Sequence, residues 1–176
     1  DAQADLAREI DYKYFVDVVG LPKARSINDK VANLCKFFAV SNLRNMLNPD
    51  FLVNFRASSS CNSEKNIINS RAWIQTAINV SKNIETLPYN AKKLKGYLPE
   101  LRGMTVKKPE DFLPRMREIF AECGIAFVLL PHLKNSGVNG AVKWMSQDRV
   151  MLAMNNRGIY ADKFWFSLFH EIKHVL

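Results

Sequence analysis

His170, Glu171 and His174 stand in the stretch Phe-His-Glu-Ile-Lys-His, an HExxH spacing. On a helix, residues four apart lie one above the other on the same side, so the two imidazoles can reach one ion as zinc ligands. Glu171 is turned one step round the helix. From there it can reach a metal-bound water without being a third ligand, the position of a general base acting on zinc-activated water. Five residues are a short motif, and the elements around them decide whether the chemistry is available.

The final helix is expected over Lys163 to Leu176, with Asp162 as its cap. At about 100° per residue, Trp165, Leu168, Phe169, Ile172, Val175 and Leu176 form one apolar stripe. Ser167, His170, Glu171 and His174 fall opposite it, and the two histidines are expected to point together into a cleft. The helix ends directly after His174, which leaves the carbonyls of its last turn in need of partners. A catalytic zinc needs about three protein ligands and a water. No Asp, Glu, His or Cys elsewhere declares itself as the third, and His132, in a loop after Pro131, reads as a surface residue.

The rest of the chain divides by periodicity. Helical signals dominate the first two thirds. "DLAREIDYKYFVDVV" is expected to be one helix closed by Gly20 and Pro22. "SINDKVANLCKFF" opens with Ser26 and Asp29 in a capping-box pattern. A short helix follows Ser41, a long one covers "SEKNIINSRAWIQTAINVSKNIE", and Asn90 caps another through Leu101. Pro109 opens a helix that stops at Gly124, with Pro114 placed early in it, where a missing N–H costs little. The period then changes. "IAFVLLP", "GVNGAVKWM" and "RVMLAMN" read as strands, the last two joined by a hairpin turn at Ser146 to Asp148. The expectation is an α+β chain with a helical region over 1–108 and a core over 109–176 made of a helix, a three-stranded sheet and the HExxH helix.

The 176 residues are 48% hydrophobic, enough for a packed core and unlike a disordered chain. The longest unbroken apolar run, Ile125 to Leu130, is far short of the roughly 20 residues of a membrane helix. Cys35, Cys61 and Cys123 are too scattered for a disulfide framework. Cys35 and Cys123 read as buried thiols in a reducing, cytoplasmic setting. The net charge of +8 admits an acidic or nucleic-acid partner. Its clusters, Lys92, Lys93 and Lys95, then Lys107 and Lys108, read as solvated faces.

The stretch from "FLPRMREIFAECGIAFVLLP" through "GAVKW" and "DKFWFSLFHEIKHVL" resembles the ImmA/IrrE-type metallopeptidase domains found behind an XRE-type helix-turn-helix. Weaker echoes are "VANLCKFFAVSNL", Phe55 with Arg56, Ala72 with Trp73, and "LPELRGMT". The resemblance implies a zincin-like core in a bacterial or phage-related regulator or antitoxin, acting on a repressor or toxin partner. It makes His170 and His174 the zinc ligands and Glu171 the catalytic glutamate. It places the third ligand on a later helix and any DNA contact on a helix-turn-helix. The 176 residues then read as an interior piece, cut on both sides, holding zinc weakly. Two alternatives stay open: a non-catalytic regulatory or sensing module, and a basic helical nucleic-acid-binding module.

Overall fold

The structure, a computed structural model, describes residues 1–48, 55–57 and 63–176. It is α+β, and its contacts divide into two compact units that do not follow chain order. One is drawn from Asp1–Val53, Ser59–Thr76 and Pro131–Val138, the other from Asn54–Ser58, Ala77–Leu130 and Asn139–Leu176. Cys61 lies outside the described residues.

The first unit is helical: α1 (Ala2–Glu9), α2 (Tyr12–Val19), α3 (Ile27–Phe38), a 3-10 turn at Leu43–Leu47, and the opening part of α4 (Glu64–Ser81). Phe15 is fully buried, with Tyr14, Phe37 and Phe38 meeting it edge to face at 5.4, 6.0 and 5.6 Å between ring centroids. Gly20 ends α2 in the left-handed region at φ 76°, as its position predicts; the Gly20 N–H donates to Val16 O and the Leu21 N–H to Phe15 O. Ser26 caps α3 by accepting from the Asp29 N–H, while the Asp29 carboxylate accepts from the N–H of Arg25 and not of Ser26.

The expected single helix from Asp5 to Val19 is instead two. Ile10 is extended, at φ −94° and ψ 132°, and buries its side chain. The break is stabilised at the carbonyl it exposes, since Asn69 Nδ2 donates to Glu9 O at 2.9 Å. Tyr14 Oη and Trp73 Nε1 both donate to Pro131 O, at 2.7 and 3.2 Å, and hold the 131–138 segment to its unit.

The second unit carries β1 (Phe55–Ala57), α5 (Ala91–Gly103), α6 (Pro109–Glu122), β2 (Ile125–Leu130), β3 (Gly140–Ser146), β4 (Arg149–Asn155) and α7 (Asp162–Val175). The sheet order is β1-β3-β4-β2. The three expected strands are present. β3 and β4 form the expected antiparallel hairpin, with a register shift between Trp144 and Ser146, and β2 joins β4 in parallel. The short β1, which has no clear period of its own, pairs antiparallel with β3.

Alternate strand residues, Ile125 and Phe127, Val142, and Val150, Leu152 and Met154, enter one core with Leu94 and Leu101 of α5. Phe112, Met116, Ile119 and Phe120 of α6 and the apolar face of α7 complete it. Cys123 is buried there and burial raises its thiol pKa; Cys35, also raised by burial, is only half-buried.

Two junctions fix the frame of this unit. Gly124, at φ 80°, turns α6 into β2, and a Cβ on it would lie 2.2 Å from Tyr89 Cα, so a backbone passes where a side chain would be. Arg149 closes the C-terminus of α4 by donating to the carbonyls of Ser81 and, at 2.6 Å, Ile84. Asn90 caps α5 by accepting from the Lys93 N–H. Pro114 is inside α6, past its first turn, and the helix runs through it. The lysines at 92, 93, 95, 107 and 108 are exposed. Among the described residues no helix is long and apolar enough to cross a membrane.

Leu168, fully buried in this core, should be expensive to truncate. Leu168→Ala is expected to cost about 2–5 kcal/mol in urea denaturation. An unmoved midpoint would show that α7 is not packed by this face.

Candidate metal centre

Helix α7 starts at Asp162, which lies in the first turn and not at the cap; Ala161 is the N-cap and makes no side-chain capping bond. Asp162 still favours the helix start, because a carboxylate there meets the positive end of the helix dipole. Phe164, Trp165, Leu168, Ile172 and Val175 are buried. Phe169 and Leu176, expected in the same stripe, lie at its margin. They line a groove with Leu98 and Ile172, bordered by Arg102 and Lys173.

That packing sets the rotation of the helix and so the direction of the three motif residues. His170 is exposed and His174 is half-buried. Their Nε2 atoms are 3.0 Å apart, with ring centroids at 4.6 Å and planes at 87°. As an imidazole–imidazole hydrogen bond, this contact needs one ring to donate and the other to accept, so at least one ring is neutral there. Two ligands of a tetrahedral zinc, each about 2.0–2.1 Å from the ion, stand about 3.3 Å apart. A few tenths of an ångström of ring movement converts one arrangement into the other.

Glu171 departs from its expected placement. It does not share the open side with the histidines but is fully buried, on the packed side of α7. A Cβ built on Gly140 would come within 2.9 Å of Glu171 Cγ and 2.9 Å of Met154 Sδ, so the Glu171 side chain runs directly over the Gly140 backbone. Gly140 and Met154 are paired across β3 and β4. The carboxylate therefore enters the structure through a gap that the sheet leaves for it. A glycine at the start of a strand pattern, in "GVNGAVKW", signals such a close approach, but says nothing of what approaches.

The end of α7 is also better held than the sequence suggests. Tyr89 Oη donates to Val175 O at 3.2 Å, and Leu176 N–H closes on Ile172 O. Tyr89 is itself pinned edge to face on Trp144, at 4.7 Å between centroids. Sequence reasoning misses Tyr89 because its partner is 86 residues away. His132 belongs to the other compact unit and is half-buried there. Among the described residues no group of three or more His, Cys, Asp or Glu side chains converges.

Comparison of the chain with protein-family models, with curated proteins and with solved structures finds no match.

If the two imidazoles act as a bidentate grip, each alone should be much weaker. Titration with Co2+, followed in the visible absorption, is expected to show binding that either His170→Ala or His174→Ala weakens about tenfold or more. Equal binding by both variants and the parent chain would show that the metal goes elsewhere.

Proposed function

We propose that His170, Glu171 and His174 form the zinc-dependent peptidase-like site of a bacterial or phage-related regulator of the antitoxin kind, with a repressor or toxin protein as its partner. The observation that carries this reading is the 3.0 Å separation of the two Nε2 atoms on one helix, with Glu171 set beside them on the same turn. Resemblance of "DKFWFSLFHE" and "GAVKW" to the ImmA/IrrE-type domains points the same way, toward a zincin-like core in this second unit.

The donor set suits zinc, which takes neutral imidazole nitrogens readily. Bound between them, zinc would supply a Lewis acid for hydrolysis of a peptide bond. His170 and His174 would hold it through Nε2, and both must be deprotonated there to do so. Glu171 would take up the proton of the attacking water on its carboxylate and pass it to the departing amine.

A second reading has its own support. A carboxylate as deeply buried as that of Glu171 suits a structural anchor, and in that case the chain is a sensing module that responds to metal without hydrolysis. Zinc-loaded chain and Glu171→Gln, each incubated with a proteome-derived peptide library, separate the two readings when new N-termini are counted. Peptidase function is expected to give cleavage that falls about 10²–10⁴-fold in the variant, with zinc content unchanged. Equal cleavage by both would remove Glu171 from the chemistry. Stoichiometric zinc with no cleavage by the parent chain would favour the sensing module.

A further inference from the structure

We infer that Gly140 is the positioning residue for Glu171: the side chain it lacks is what allows the carboxylate arm to lie inside the packed face of α7, on the helix that carries the histidine pair. This rests on the site reading above and deepens it. Two contacts carry it. A methyl group on Gly140 would meet Glu171 Cγ at 2.9 Å, closer than carbon atoms approach one another. Cγ lies midway along the side chain, so it cannot move without moving the carboxylate. The same methyl group would meet Met154 Sδ at 2.9 Å, but the thioether is flexible and can turn aside. Of the two neighbours, Glu171 is the one with no cheap adjustment.

The surroundings close the remaining routes. Gly140 pairs with Met154 in the β3–β4 ladder, so its backbone cannot withdraw without opening the sheet. A methyl group would also lie 3.3 Å from Ala153 O, which bars a shift toward β4. On the helix side, Leu168, Ile172 and Val175 are buried and hold α7 against rotation. Glu171 is thus wedged between a helix and a strand that are each fixed by other contacts. Only its own side-chain torsions are left to absorb an intrusion, and they carry the carboxylate off its position.

A double-mutant cycle in the metal-free chain tests the seat independently of any catalytic role. Gly140→Ala is expected to lower the thermal midpoint clearly, and at least half of that loss should vanish when Glu171→Ala removes Cγ. An equal loss in both backgrounds would overturn the inference. If Gly140→Ala alone does not fold, a cooperative transition regained in the Gly140→Ala/Glu171→Ala chain is the expected result, and its failure to return is the contrary one.

A second measurement reads position as distinct from packing. Folded Gly140→Ala is expected to bind Co2+ within about threefold of the parent, far less than the 10–100-fold loss typical when a ligand's own support is removed. Its visible spectrum should shift in the direction produced by Glu171→Gln. Weakening by tenfold or more would show that residue 140 acts on the histidines, and an unshifted spectrum would show that the carboxylate had not moved; either overturns the positioning role. If the parent chain binds no Co2+, the metal reading falls, while the cycle still decides whether Gly140 seats Glu171.

Discussion

The rotation of α7 about its own axis is the constraint on which the site depends. Phe164, Trp165, Leu168, Ile172 and Val175 can all leave water only if one side of the helix faces the core it shares with α5, α6 and the strands. Burying even one such side chain is worth about 1.5–3 kcal/mol, so turning the helix by a single residue would forfeit several of these contributions at once. With that angle set, His170 and His174 have no choice but the outer side. Glu171 falls at the edge of the packed face, where it is either excluded by a neighbour or admitted by a gap. Gly140 supplies the gap.

The frame beneath α7 is held by satisfying backbone groups that the chain's own turns expose. Arg149 sits at the first residue of β4 and donates to carbonyls at the end of α4, so strand and helix terminus are fixed together. The segment from Leu87 to Asn90 is joined by backbone hydrogen bonds to Ala121, Cys123 and Asp148, and its close passage over Gly124 leaves no room for a side chain there. Tyr89, held in that segment, then reaches the last turn of α7. An uncapped helix end costs stability where it is least supported, and here the tyrosine supports the turn that contains His174.

Local signals were legible in the sequence because local geometry decides them. Ser26 and Asn90 cap the helices that follow them, Gly20 ends α2, and the alternation in "GAVKWM" and "RVMLAMN" gives two strands of a hairpin. The two histidines are brought together because i, i+4 spacing fixes their distance on any helix. What was not legible depends on residues distant in sequence. Periodicity from Asp5 to Val19 is continuous, and nothing local shows that Asn69 accommodates a break at Glu9 and Ile10. The helical projection sets Glu171 opposite the apolar stripe, yet it is fully buried. Its burial depends on a strand that begins 31 residues earlier in the chain. The one clue, a glycine entering a strand, marks the gap but not its occupant.

The structure thus gives the three motif residues different mechanical freedom. The histidine rings lie outside the buried face of α7, His170 exposed and His174 half-buried, and their 3.0 Å separation is a few tenths of an ångström short of the spacing of a tetrahedral pair. Glu171 lies in a close-packed interior, where displacing one methylene group forces its neighbours to respond. A carboxylate packed in this way keeps its direction whatever the histidine rings do. On the proposed peptidase reading, such preorganisation would serve a proton-transferring group, whose value depends on geometry held before a reaction begins. The same fixity also makes Glu171 sensitive to small changes in β3 and β4 that leave the histidines untouched. Sequence variation at Gly140 or Met154 would therefore act on the carboxylate before the histidines, although neither residue is in the HExxH motif.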